Sequence, residues 1–400
     1  MKNLTIEEAR ARMLAQVRPL GPETVGIEAA HGRILAEAID ATRDQPPFRA
    51  SAMDGWAVRR ADASSGEVLL DIVGESAAGH GYEAPLQPGQ AVRIFTGAAV
   101  PEGADVIVIQ EEAEALAGKV RLGPLTDEDY LRPYGGDFRA GDRLLEAGQR
   151  LDAWRISLAA AAGRGELSVA RRPRVAVLST GEELVRPPRS PGPWDIYESG
   201  SLALCALVES WGGEAQRLAI ALDNEESVLE AVAGIDADLI VTIGGASVGD
   251  YDVVKPALGR LGLELFVQTI NIRPGKPTWF GRLGDGRAVL GLPGNPASAM
   301  VCAELFLKSL MHAMMGADPQ PRVIRARLAA PLKPNGGRVQ LMRVMLSHDD
   351  EGVLTVDPVA DQDSSLVTVY AKADGLMRRP LNAPAADVGE MVDVLILARL

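Results

Sequence analysis

Between residues 171 and 315 short apolar runs alternate with amphipathic helical periods, and no other feature limits the fold of this chain as strongly. Strands and helices in strict alternation read as βα units that build a parallel or mixed sheet. Residues 174–184, RVAVLSTGEEL, form a strand running into a glycine turn with Glu182 and Glu183; the helix after it carries Leu204, Leu207, Val208 and Trp211 on one face. A second strand, 215–222, ends at Asp223, and Val228, Val232 and Ile235 face inward from the next helix. Residues 238–243 are a β-branched run suited to a strand buried on both faces. This run breaks into Gly244, Gly245, Ala246, Ser247, Val248 and Gly249 before Asp250 and Asp252. A helix from about Val253, a strand over 263–270, the turn NIRPGKPTWFG, the run AVLGLPGNPASA and a long apolar helix to about Met315 complete the series.

In an open α/β sheet, ligands bind beyond the carboxyl ends of the strands, and a glycine-rich loop there offers backbone N–H groups to anions. The 244–249 loop is neither a Walker A motif nor GxGxxG, so it reads either as a ligand loop or as a tight βα connection. The acids favour a ligand. Glu183, Asp223 and Asp252 each follow the carboxyl end of a different predicted strand. Two carboxylates about 4 Å apart repel by roughly 4 kcal/mol at an effective dielectric near 20, so such a cluster calls for a proton or a cation. Mg²⁺ is the economical choice, being a hard ion that takes carboxylate and phosphate oxygens. Arg273 and Lys276, around Pro274 and Gly275, and the turn Pro293-Gly294-Asn295-Pro296 lie in the same half of the chain, where they either hold an anion or form solvated loops.

Composition narrows the partners. A formal net charge of −13 argues against nucleic acid or an anionic membrane, so an anionic substrate needs a local basic pocket. Hydrophobic content of 47%, charged content of 24% and no apolar run of ~18 residues describe a soluble globular protein. The first residues, MKNLTIEEARARMLAQV, have no signal-peptide core, which predicts a cytoplasmic protein. Cys205 and Cys302, each in a predicted helix, read as buried thiols; with four His they make no disulfide framework or zinc cage.

The remaining segments read as further domains. Thr5 and Glu8 form a capping box for a helix with Ile6, Ala9, Met13, Leu14 and Val17 on one face, and a second helix is predicted over 27–38. Residues 51–139 hold short strands (68–73, 91–95, 105–109, 120–122), a small β domain. Asp54-Gly55 in this segment reads as an ordinary turn, and Arg132 and Arg139 either are solvated or meet phosphate. Asp152 caps a helix predicted to pack with the N-terminal ones in a discontinuous domain. Beyond Asp318 the strands 323–328, 338–346, 353–359 and 391–397 predict a small barrel or sandwich.

Seven segments in order, SAMDGWAV, TGAAVPEGADVIVIQEE, RPYGGDFRAGD, VLSTGEEL, TIGGASVGDYD, RPGKP and LPGNPAS, resemble the molybdopterin molybdenumtransferases, the MoeA and gephyrin C-terminal group of molybdenum cofactor biosynthesis. The resemblance implies four domains: a linker and dimerisation domain from 1–47 and 140–170, an inserted β domain over 48–139, an α/β molybdopterin-binding domain over 171–318 and a C-terminal β-barrel over 319–400. It also implies a homodimer with a cleft shared between subunits, Mg²⁺-dependent cleavage of adenylyl-molybdopterin to AMP, and transfer of molybdate to the dithiolene. Other proteins of cofactor assembly are the further partners it suggests. By this resemblance Asp54, Glu183, Asp223 and Asp252 are the cleft acids, the last three as metal ligands. Thr96, Gly244, Gly245, Ser247, Gly249, Arg273, Lys276, Pro293, Pro296, Ser298, Arg343 and Ser364 match substrate positions. Three departures stand out: Tyr-Glu-Ser-Gly at 197–200 in place of Tyr-Asp-Ser-Asn, Glu182 for Asp, and Arg273 where lysine is usual. The last leaves molybdate and tungstate both open as the oxyanion. Two other readings are a molybdopterin adenylyltransferase and a non-catalytic, gephyrin-like scaffold.

Overall fold

The computed structural model describes residues 1–63, 66–245 and 253–397, so Ser247, Gly249 and Asp252 lie outside the described residues. Two compact units result, one of Met1–Glu37, Ala147–Leu151 and Leu167–Leu400, the other of Ala38–Glu146 and Asp152–Glu166.

In the first unit a six-stranded mixed sheet runs in the order Glu214–Arg217, Arg174–Ser179, Leu239–Ile243, Ala288–Leu292, Trp279–Arg282, Glu264–Val267. The first four strands are parallel, Trp279–Arg282 runs antiparallel to them, and Glu264–Val267 pairs antiparallel with Trp279–Arg282. Leu239–Ile243 and Ala288–Leu292 are buried along their whole length, as their unbroken apolar runs require of interior strands. The strand predicted over 215–222 stops at Arg217, although Leu218 and Ala221 still donate to Val177 O and Ser179 O at 3.0 Å. One face of the sheet is covered by Pro296–Met314, a helix long and apolar enough to cross a membrane but 83% buried in the unit. Phe306, Leu307, Leu310 and Met311 are fully buried there, each worth about 1.5–3 kcal/mol relative to exposure.

The capping box of Thr5 and Glu8 starts helix Ile6–Leu14, whose Ile6, Ala9 and Met13 pack into the same core as Leu310, Met311 and Met314. This helix is thereby part of the α/β unit, whereas helix Ala153–Ala161, capped by Asp152, belongs to the other unit. No α-helix forms over 27–38: a single 3-10 turn, Ile27–Ala29, is followed by extended chain. The donors a helix would need are used across the chain instead, Leu35 N to Gln149 O and Ala36 N to Ser168 O, both at 2.9 Å.

The C-terminal strands settle the choice between barrel and sandwich. Val339–His348, Leu354–Pro358, Val323–Leu328, Met391–Ile396 and Gly375–Arg379 pair in that order, and the last pairs back onto the first, closing a barrel. Gly375–Arg379 and helix Val367–Lys372 were not predicted from the sequence pattern. The two-residue strand Ile272–Arg273 joins the barrel alongside Val339 and Gln340, which carries Arg273 out of the α/β sheet.

The second unit holds a six-stranded sheet in the order Val106–Ile109, Gly55–Val58, Gln90–Ile94, Val68–Ser76, Lys119–Leu122, Ala113–Leu116. Gly55–Val58 is buried throughout, with separate apolar clusters on the two faces of the sheet.

Candidate functional site

The neighbouring parallel strands Arg174–Ser179 and Leu239–Ile243 mark the point where the connections of the α/β sheet leave in opposite directions, and ligands bind at such points. A cavity of about 470 Å³ opens at their carboxyl ends. Thr180 N donates to Ile243 O at 3.0 Å and Gly181 N to Ala221 O at 3.2 Å, and these bonds tie together the loops that carry Glu183, Asp223 and Gly244. All three of those residues line the cavity with Gly245, Gly294, Asn295 and Pro296. Gly244 has φ +91°, and a Cβ there would stand 2.8 Å from Thr180 Oγ1 and 2.9 Å from Thr180 O, so no larger residue fits this floor.

Glu183 and Asp223 are exposed carboxylates that both line the cavity. Glycine at 181 leaves room for the Glu183 carboxylate, whose Oε2 lies 2.5 Å from where a Cβ would be. No group of three or more His, Cys, Asp or Glu side chains placed to hold a metal ion occurs among the described residues. Mg²⁺ keeps several waters and takes one or two carboxylates plus substrate phosphates, so this pair of hard oxygen donors in an open cavity fits that ion.

The same cavity is walled by Tyr197, Glu198, Ser199 and Gly200, the stretch where this sequence departs from the pattern it resembles. Glu198 is buried, accepting from Ser179 Oγ at 3.0 Å and from Ser201 N and Oγ at 2.7 Å, and it pairs with Arg217. Burial alone would push its carboxyl up, but the Ser201, Arg217 and Ser179 donors together hold it below its ordinary value. Sequence reasoning missed this network. The Glu198–Ser201 spacing at a helix start was its one local signal; Arg217 lies a helix away.

A second cavity, about 340 Å³, gathers Arg273, Lys276, Pro293, Ser298 and Ser364, with Arg338 as a third cation. Asn295 lines both cavities and donates Nδ2–H to Ser364 Oγ at 2.9 Å. The helix beginning at Pro296 points its N-terminal end here, adding partial positive charge. The one carboxylate among the described lining residues, Asp363, is held in its charged form by the Ser365 hydroxyl and amide. Arg343 lines neither cavity. It is 1% exposed and sits behind the wall, its Nη2 donating to Asp363 O at 3.0 Å and its amide to Gln362 Oε1 at 2.9 Å. Its Nε has no partner among the described residues, and burial pushes the guanidinium down from its ordinary value.

In the second unit Asp54 is not a simple turn residue. It opens the buried strand Gly55–Val58, and its Oδ1 accepts from Thr96 N at 2.7 Å and from Thr96 Oγ1 at 2.8 Å. Arg93, unremarked in the sequence, lies over the rings of Trp56 and Phe95 and donates to Gly55 O at 3.1 Å. Arg132 and Arg139 stand exposed. The Thr96 amide, then its hydroxyl, with Arg93's charge adding, keep Asp54 below the ordinary 3.8. The Asp54–Thr96 link therefore holds at neutral pH and is lost only as pH falls through that lowered value. Thr96→Val, which keeps the amide and removes the hydroxyl, is expected to move the Asp54 midpoint upward in carboxyl-carbon NMR titration; an unmoved midpoint would show that the hydroxyl bond carries nothing.

Three family profiles match the chain: the MoeA N-terminal region (domain I and II) over residues 4–163, a probable molybdopterin binding domain over 176–313, and the MoeA C-terminal region (domain IV) over 325–397. The molybdopterin molybdenumtransferase of Haemophilus influenzae is 33% identical over 398 residues, 98% of each chain. That of Nostoc sp. is 38% identical over 331 residues, 79% of this chain and 75% of its own. Among solved structures, the molybdopterin biosynthesis moea protein from Pyrococcus horikosii superposes with a TM-score of 0.83 at 32% identity, covering 99% of both chains.

Proposed function

This chain belongs to the molybdopterin molybdenumtransferase family, the transferases of molybdenum cofactor biosynthesis, and we propose that it cleaves adenylyl-molybdopterin, releases AMP and inserts molybdate into the dithiolene. The observation that carries this reading is the pairing of an acidic strand-end cavity with a basic one through the shared residue Asn295. A reaction joining a phosphate-bearing pterin to a tetrahedral oxyanion needs two such subsites side by side.

In this reading the backbone around Gly244 and Gly245 lets the pterin phosphate approach closely, and the Glu198–Arg217 pair keeps the wall beside it rigid. Glu183 and Asp223, with Asp252 outside the described residues, would hold magnesium, which when bound neutralises phosphate charge. Lys276 and Arg273 bind the incoming oxyanion, Ser298 and Ser364 give it hydrogen bonds, and Arg343 holds the loop that carries Ser364. Asn295 orients the boundary between the two substrates. The proposal extends to a cytoplasmic homodimer in which Asp54 serves the partner's site.

Anaerobic incubation with adenylyl-molybdopterin, Mg²⁺ and molybdate is expected to release AMP, and free molybdopterin with ATP is expected to yield no adenylate. The opposite pattern would make the protein an adenylyltransferase, and no turnover in either mixture would leave a scaffold.

A further inference from the structure

The basic turn of the second cavity is seated on a buried thiol. Pro274 and Gly275 are buried, whereas Arg273 and Lys276 on either side are exposed, so the back of the turn is packed and its cations face out. Gly275 has φ +107°; a Cβ there would overlap Cys302 Sγ and come within 3.0 Å of Ile272 Cδ1. Thr278, fully buried, donates its hydroxyl to Cys302 Sγ at 3.1 Å and its amide to Gly275 O at 3.0 Å. Ile270 N closes the other side of the turn on Lys276 O at 3.0 Å. Cys302 lies four residues beyond Ser298 on the same helix, so the two share a helical face. One face of one helix thus presents a wall residue of the cavity and the residue on which its cations rest.

We propose that Cys302, with Thr278, is a positioning residue for the oxyanion pocket: its sulfur fills the space between helix and turn and sets how far Lys276 and Arg273 stand from Ser298. The inference rests on reading this cavity as the oxyanion subsite. Interiors are packed closely enough that one methyl more or less at such a contact is felt. Burial pushes the Cys302 thiol up to about 12, so it remains S–H at physiological pH and acts through volume and a hydrogen bond, not as a nucleophile or a metal ligand.

The test uses the full chain, with molybdate binding by calorimetry and steady-state AMP release measured on Cys302→Val, Cys302→Ser, Thr278→Val and Lys276→Ala. Cys302→Val adds branching toward Gly275 and is expected to weaken molybdate binding at least tenfold, with KM for adenylyl-molybdopterin within twofold of the parent. Cys302→Ser keeps a small hydrogen-bonding group and is expected to stay within threefold. Thr278→Val removes the hydroxyl donor at nearly constant shape and is expected to weaken molybdate threefold or more, which keeps the test open should Cys302→Val fold poorly. If Lys276→Ala weakens molybdate while Cys302→Val and Thr278→Val both bind it within twofold of the parent, the positioning role is overturned and the pocket stands. If Lys276→Ala also leaves molybdate binding unchanged, the pocket reading itself falls, and this inference with it. A parallel loss of kcat, pterin affinity and melting temperature in Cys302→Val and Thr278→Val would mark a general packing defect and equally overturn it.

Discussion

Asp223→Asn is expected to slow AMP release from adenylyl-molybdopterin by about 10²–10³-fold, the loss typical when one group stabilising developing charge is removed. Asp223 is exposed and lines the same cavity as Glu183, just past a loop held by Gly181 N on Ala221 O. A carboxamide has the same shape but no charge, so it cannot offer a cation the same field. Because the side chain is exposed, stability is expected to stay within about 0.5 kcal/mol of the parent. Rate and stability therefore separate in one variant. Glu183→Gln is expected to behave alike, and the double variant to be far less than multiplicatively worse, because groups acting as a unit are not additive. Half-saturating Mg²⁺ should rise in each single variant. Unchanged rates at saturating Mg²⁺ in both would remove the metal assignment.

Lys276→Ala is expected to raise the molybdate concentration for half-maximal AMP release by about 10–100-fold, since a hydrogen bond to a charged group is worth about 1.5–3 kcal/mol and 1.4 kcal/mol is a factor of ten. Among the described residues the cavity lining holds Arg273, Lys276 and Arg338 against the single carboxylate of Asp363, in a chain whose net charge is −13. An anion drawn to this protein thus meets a local positive field that the whole molecule lacks. Lys276 is exposed and its removal costs the fold little. KM for adenylyl-molybdopterin should change less than twofold. A shift in pterin affinity instead would assign the cavity to the pterin phosphate, and no shift beyond about twofold in either, roughly 0.4 kcal/mol, would make Arg273 and Lys276 a solvated turn.

Much of the architecture was written in local pattern. The run at Leu239–Ile243 suits an interior strand, because it offers no polar residue to face water on either side save Thr242. The capping box at Thr5 and Glu8 and the cap at Asp152 start their helices through bonds that span three residues. The acids after successive strands could be placed at one sheet edge, since parallel strands put all their carboxyl ends there. Glu183 and Asp223 do share a cavity at that edge.

Contacts between distant segments decided the rest. Residues 27–38 carry a helical pattern, yet their backbone donors find carbonyls near residues 149 and 168, and tertiary bonding outweighs a weak local preference. Glu198 looked like a departure from a motif until Arg217 and Ser179 came beside it and made its buried charge tolerable. Arg343, matched to an anion position, lies behind the wall because Gln362 and Asp363 fold over it. Arg273 and Lys276 face Ser298 and Ser364 because Ile272–Arg273 leaves the α/β sheet and pairs with the barrel, a register that no local spacing encodes. Side-chain periodicity fixes which face of an element is buried. Which buried faces meet, and hence which charges stand across a cavity from one another, is set by packing between elements far apart in the chain.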